Sequence, residues 1–310
     1  MKRVITVLAL VSLASLVFAQ DEEEKSPWKQ GVTLSLNFNN TGFSNYWQGG
    51  GANAIGIGGL VNMYADYNKG KFQWANTLDL AYGRTKVGDQ PFLKSDDRIE
   101  LNSKAGYKLQ PKLLAGVLLN FRTQFDLGFN GGIPDDPNTP ANSTNIISRA
   151  FNPAYLNLGL GLDWQPSENT SIAFAPLNAK LTIVGNEALR PLYVPAEDIG
   201  KAVRFELGTN LLVKYRRQIA ENVTYQTSAN FFSNYLNNFG NVDVNWDQLF
   251  SFKVNKFVTT TFATTLIYDD DIKFALVDDQ GMPTGSVGPR TQFRHVLSIG
   301  FTYNLGDKKE

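Results

Sequence analysis

The stretch "YLNLGLGLDW", Tyr155 to Trp164, decides the fold. Leu156, Leu158, Leu160, Leu162 and Trp164 share one parity, and Asn157, Gly159, Gly161 and Asp163 share the other. Successive side chains point to opposite faces in a β-strand, so this alternation predicts a strand with one apolar face and one polar face. The same period recurs on both sides. Between Arg98 and Leu109, Ile99, Leu101, Ala105, Tyr107 and Leu109 oppose Arg98, Glu100, Asn102, Lys104 and Lys108. Between Val203 and Tyr215, Val203, Phe205, Leu207, Leu211, Val213 and Tyr215 oppose Arg204, Glu206, Asn210 and Lys214. No segment shows a convincing helical period of 3.6.

About twelve such strands can be traced, with cores at 30–39, 53–68, 71–86, 97–109, 113–128, 153–165, 170–184, 201–217, 222–236, 242–255, 257–269 and 291–305. Their connections alternate strictly in kind. Short turns such as Asn68-Lys69-Gly70 and Gln110-Pro111-Lys112 separate mostly long loops such as 130–152, 185–200 and 270–290. Short turns on one side and long loops on the other are the mark of an outer-membrane barrel. Many strands exceed the roughly nine to eleven residues that a tilted spanning strand needs, so they are expected to project beyond the bilayer. The expected fold is therefore all-β: a transmembrane antiparallel up-and-down β-barrel of about 12 strands over residues 29–306. An open sheet in lipid would strand its edge N–H and C=O groups at several kcal/mol each, so closure is required. Pro176 interrupts strand seven where the alternation changes phase, which predicts a β-bulge there.

The bulk numbers fit this reading. A chain of 310 residues with formal net charge zero offers no basic patch for nucleic acid. With no cysteine it has no disulfide, thiolate metal site or lipidated N-terminal cysteine. Mean hydropathy of −0.22 would ordinarily indicate a soluble protein, but a barrel that alternates apolar and polar residues averages to the same value. The N-terminus reads as a secretory signal peptide over 1–19. Lys2 and Arg3 precede a short apolar run, Val4 to Phe18, with cleavage expected between Ala19 and Gln20. A flexible periplasmic leader over 20–28 precedes the barrel and a short periplasmic tail, 307–310, follows it. The expected location is the outer membrane of a Gram-negative cell, with lipid around the barrel.

The last strand ends "SIGFTYNL", Ser298 to Leu305. Ser298, Gly300, Tyr303 and Leu305 occupy the key places of a pattern that resembles the C-terminal signal read by the barrel assembly machinery. That resemblance implies the machinery as a partner during biogenesis. The five trailing residues, 306–310, depart from it.

In a barrel the apolar parity faces lipid and the polar parity faces the lumen. Outward aromatics such as Trp74, Tyr107, Trp164, Trp246 and Tyr303 suit interfacial girdles. The lumen-lining candidates are Arg98, Glu100, Lys104, Arg122, Asp163, Lys180, Arg204, Glu206, Asp243 and Asp247. By the same parity Asp66, Asp79, Lys108, Asp126, Lys214, Lys253, Asp269 and Arg294 join them. A mixed-sign lining reads equally as a charged, water-filled conduit or as an interior that neutralises itself, and it argues against strong ion selectivity.

No catalytic or cofactor constellation is visible. The single histidine, His295, faces outward near the external rim with Leu297 as its same-face neighbour, and no nucleophile lies at hydrogen-bond reach. The acidic runs 135–136, 269–271 and 278–279 lack the alternating ligand spacing of a calcium loop and read as solvated loop acids. GIGG at 56–59 reads as strand glycine. The glycine run in the Phe43–Asn53 loop suits either a tight β-turn or an inward-folding constriction.

The segment "FSNYWQGGGAN" at 43–53, followed by "WANTLDLAYG" at Trp74–Gly83, resembles a Bacteroidota family of unknown function, DUF3078. "APLNAKLTIV", Ala175–Val184, resembles a second segment of that family, and the similarity runs over nearly all of the mature chain. Tyr46 stands as an insertion between Asn45 and Trp47. The resemblance implies an outer-membrane barrel and transfers no activity and no site residue. Two functional expectations follow. One is passive passage of small hydrophilic solutes without an enzymatic step; the other is a structural or accessory barrel working with an envelope protein partner.

Overall fold

The computed structural model describes residues 26–41, 53–129, 146–277 and 282–306. The expected signal peptide, most of the leader, the glycine run, the acidic pairs 135–136 and 278–279 and the tail lie outside the described residues.

Twelve strands close into one antiparallel barrel. They are β1 (Trp28–Thr41), β2 (Ala54–Lys69), β3 (Phe72–Val87), β4 (Leu93–Gln110), β5 (Leu113–Thr123), β6 (Ala154–Ser167), β7 (Thr170–Ile183), β8 (Val203–Ala220), β9 (Val223–Asn234), β10 (Asp243–Lys253), β11 (Val258–Tyr268) and β12 (Gln292–Gly306). Each pairs with its sequence neighbours, and β1 closes on β12 with Leu34 opposite Tyr303 and Phe38 opposite Ile299. Among the described residues no helix is long and apolar enough to cross a membrane.

The outer face carries Leu34, Leu36, Leu158, Leu160, Phe205, Leu297 and Phe301, all exposed. Apolar side chains pointing away from a closed wall are the reverse of a soluble core and make a lipid-facing belt. Aromatic clusters mark both ends of that belt. At the short-turn end Trp28 packs edge-on to Tyr67 and Trp74, and Tyr225 lies against Phe250. At the long-loop end Tyr82 meets Phe125 and Tyr235 meets Phe239.

The bulge expected at Pro176 is present. Leu160 pairs with Leu177 and Leu162 with Phe174, so β7 carries one extra residue there, and β8 registers the same shift between Gly208 and Asn210. Proline cannot donate to the ladder, so the extra residue is placed where no donor is needed. Pro176 O instead accepts from Tyr235 Oη at 2.7 Å.

The loop end holds structure that the period-two pattern did not signal. Gly128–Phe129 pairs with Ile146–Ser148, and Phe274–Val277 pairs with Pro283–Gly288. Two 3-10 turns, Glu187–Leu192 and Ala196–Asp198, fold over a small core of Val184, Leu189 and Val194. Arg190 is buried beneath them and donates to the carbonyls of Val184, Gly185 and Ile199.

Candidate functional site

The candidate site is the lumen. The register sets Arg98, Glu100, Lys104, Arg122, Asp163, Lys180, Arg204, Glu206, Asp243 and Asp247 on the face opposite the exposed leucines and aromatics. Asp126 does not join them. The carboxylate of Asp97 accepts the backbone N–H of Phe125 at 3.0 Å and of Asp126 at 2.8 Å, and so peels the chain from the ladder after Thr123. Parity counting fails beyond that point. Asp126 sits at the rim instead, accepting from Tyr82 Oη at 2.6 Å and Arg84 Nη2 at 2.9 Å.

Two charge networks cross the lumen. At the short-turn end Asp163 on β6 accepts from Lys104 Nζ on β4 at 2.5 Å, from Ser171 Oγ at 2.6 Å and from Gln165 Nε2 at 2.7 Å. Beside it lies a cavity of about 140 Å³ lined by Gly116, Gly161, Leu114, Lys104 and Asp163. Glycine is needed in this wall. A Cβ on Gly116 would stand 2.0 Å from Ala105 O, and one on Gly161 would stand 2.0 Å from Phe174 O.

At the loop end Lys180 on β7 reaches Asp243 on β10 at 3.0 Å and Glu206 at 3.5 Å, with its ammonium 4.8 Å from the Phe232 ring centroid. Arg204 pairs with Glu206 at 3.3 Å, with Asp271 at 2.5 Å and with Asp198 at 3.4 Å. Asp198 and Asp271 come from two different loops, so Arg204 fastens both to the barrel wall. Sequence reasoning missed these two partners. It read 269–271 as solvated, yet Asp271 is ion-paired and Asp270 accepts from Asn241 and Tyr268. Among the described residues no cluster fit to hold a metal ion is present.

The lumen is two-sided. On β6–β8 five polar side chains are dry, Asp163, Asn178, Thr182, Arg204 and Glu206, and Phe232 on β9 is buried with them, whereas Asn157, Lys180, Asn210 and Asn230 stay half-exposed. Across β2–β5 and β10–β11, Asn62, Asp79, Glu100, Asn102, Asn120, Asp247 and Thr265 remain half-exposed. Arg98 and Arg122 stand on that open side and, among the described residues, form no ion pair or hydrogen bond with a carboxylate. Lys104, Lys180 and Arg204 each have one.

Ser298, Gly300, Tyr303 and Leu305 lie on β12. Tyr303 and Leu305 point outward and are exposed, whereas Ser298 and Gly300 face inward. A Cβ on Gly300 would meet Leu36 O at 2.7 Å, so the position needs glycine for the seam to close. His295 faces outward beside Phe262 and Phe293, with Thr264 directly across the β11 ladder.

Residues 38–129 match the family described as "Protein of unknown function (DUF3078)". The match takes in Trp74–Gly83 and ends before Ala175–Val184, the second segment of resemblance. Among solved structures, the translocator domain of autotransporter NalP from Neisseria meningitidis aligns at 9% identity, covering 97% of this chain and 95% of its own, with a TM-score of 0.38. The COG4313 outer membrane channel from Pseudomonas putida F1 aligns at 11% identity, covering 93% and 100%, with a TM-score of 0.39. A Pseudomonas aeruginosa FadL homologue aligns at 9% identity, covering 89% and 90%, with a TM-score of 0.31. These likenesses are too loose to carry a functional assignment. No curated protein matches the chain.

Proposed function

We propose that the chain is a non-enzymatic barrel of the Gram-negative outer membrane that lets small hydrophilic solutes pass through its charged lumen. Export through a cleaved signal peptide and insertion by the barrel assembly machinery belong to the same reading. The observation that carries it is the half-exposed polar wall of β2–β5 and β10–β11. Charged and amide side chains that were merely sealing a core would be buried, as Asp163, Arg204 and Glu206 are. A barrel of this size is wider than an eight-stranded one, whose interior side chains fill it, and narrower than a sixteen-stranded porin. One dry wall and one wet wall suit that intermediate width.

The test is single-channel conductance of the refolded mature barrel in a planar bilayer, with Arg204→Ala alongside. Steady conductance in the natural sequence is expected. It should rise in the variant, because the two loops fastened by Arg204 are released from the outer mouth. Silence in both, with the barrel shown to be folded by its heat-modifiable mobility, defeats the reading.

A further inference from the structure

The open side of the lumen separates its acids from its bases. Asp79, Glu100, Arg122 and Tyr155 face inward along one level of four adjacent strands, β3 to β6, and Arg98 lies one inward position nearer the loop end on β4. Glu100 is the direct cross-strand neighbour of Arg122, yet the two do not pair. Glu100 Oε1 accepts instead from Asn120 Nδ2 at 3.1 Å and Asn102 Nδ2 at 3.4 Å. Asp79 likewise accepts from an amide, Asn62 Nδ2, at 2.5 Å. The carboxylates are thus satisfied by neutral donors, and among the described residues the guanidiniums of Arg98 and Arg122 keep their N–H groups uncommitted. The Nε of Arg98 is buried and, among the described residues, has no hydrogen-bond partner.

That arrangement is costly unless something uses it. A buried donor left unpaired loses its hydration without recompense. A guanidinium presents five N–H groups in a fork that matches a carboxylate or phosphate edge on. Diagonal neighbours across an antiparallel pair lie about 7–8 Å apart, within the reach of two long arginine side chains toward one shared ligand.

We propose that Arg98 and Arg122 form a binding station in the lumen for the oxyanion group, carboxylate or phosphate, of a small solute. Tyr155 is the direct cross-strand neighbour of Arg122 on β6. As a step in transit the station rests on the passage reading above; as a binding site it stands apart from it. Asp79 and Glu100 flank the station and repel a second negative charge, so it suits a solute with a single anionic group, including one that also carries an ammonium.

The experiment uses the full mature barrel, refolded in detergent, titrated calorimetrically with inorganic phosphate and, separately, with acetate. Arg98→Gln/Arg122→Gln and Arg98→Lys/Arg122→Lys are run beside the natural sequence, each checked for folding by heat-modifiable mobility. Binding of at least one anion is expected, weakened about tenfold for each arginine lost to glutamine and partly kept by lysine, which retains charge without the fork. Phosphate binding without acetate binding, or the reverse, assigns the class of oxyanion. In a bilayer under a KCl gradient the glutamine variant should shift its reversal potential toward cation preference. Absence of binding to the natural sequence, or equal binding by the glutamine variant, overturns the station. Arginine-dependent binding by a barrel that does not conduct keeps the station and overturns passage; conductance indifferent to both arginines does the reverse.

Discussion

Replacing Arg204 by alanine removes the side chain that joins the β8 wall to two separate loops. Its guanidinium reaches Glu206 at 3.3 Å, Asp271 at 2.5 Å and Asp198 at 3.4 Å, and its side chain is only 7% exposed. Glu206, 1% exposed, is left with Lys180 Nζ at 3.5 Å as its remaining cation. Removing one partner of a buried pair costs about 3–5 kcal/mol, because the abandoned charge stays desolvated. Lys180 retains part of the interaction, which places the expected loss near the lower end, about 3 kcal/mol. With a urea slope of about 3 kcal/mol/M for a chain of this size, the unfolding midpoint should fall by about 1 M. The informative partner is Arg204→Met/Glu206→Leu, which removes both charges and roughly keeps the volume. Replacing a buried pair with apolar side chains is often neutral; Lys180 keeps Asp243 but the loop carboxylates Asp198 and Asp271 lose Arg204, so this variant should cost about half of what the single one does. Tryptophan fluorescence during urea unfolding in lipid vesicles reads both. A single variant costing under about 0.5 kcal/mol, or a double variant costing as much as the single, would refute the claim that charge burial stabilises this corner.

Two further outcomes follow from the geometry. Gly161→Ala should abolish the heat-modifiable folded band, because its Cβ would lie 2.0 Å from Phe174 O and 2.6 Å from Ala175 Cα; Gly185→Ala, whose nearest neighbour is 3.4 Å away, should fold normally. Partial burial pushes the Asp126 carboxyl up, but hydrogen bonds from Tyr82, Arg84 and the Leu127 backbone outweigh it and hold the group below the usual carboxylate range. A depressed carboxyl stabilises the fold above its unfolded pKa and loses that contribution as pH falls through its folded pKa. Protease sensitivity of the 124–129 segment should therefore rise below about pH 4, and Asp126→Asn should flatten that dependence.

The wall of this protein was legible because every residue in a spanning strand is asked one binary question, lipid or lumen, and the answer recurs at period two. Twelve strands, their alternation of turn lengths and the Pro176 bulge all follow from that question. What it cannot ask is whom a side chain meets across the lumen. Lys180 reaches Asp243 three strands away, a contact set by the curvature of the wall. Asp126 was misplaced for a local reason: parity presumes an unbroken ladder, and the Asp97 carboxylate breaks it by capturing the next two backbone donors. The 3-10 turn at Glu187–Leu192 left no trace because six residues with a proline inside have no period to detect.

The two-sidedness of the lumen has its own cause in the chain. The Pro176 bulge sits in β7, and the inward residue just past it, Asn178, is flanked by Gly159 on β6 and Gly208 on β8. A bulge and bare glycines let a sheet turn a sharper corner than a regular ladder allows. With no side chains at 159, 161 and 208, the wall can close over Ala173, Ala175 and Asn178 and bury them. The charges at the loop end of that corner, Arg204 and Glu206, are then forced into mutual pairing because water is excluded there. The opposite wall is regular through Asp79, Glu100 and Arg122, keeps its polar residues half-exposed, and leaves its arginines unpaired. If the barrel passes solutes as proposed, its discrimination among them should come from the regular wall, and its stability from the bent one. Substitutions at Arg98 or Arg122 should change which ions pass while hardly moving the unfolding midpoint, and those at Arg204 should do the opposite to the midpoint.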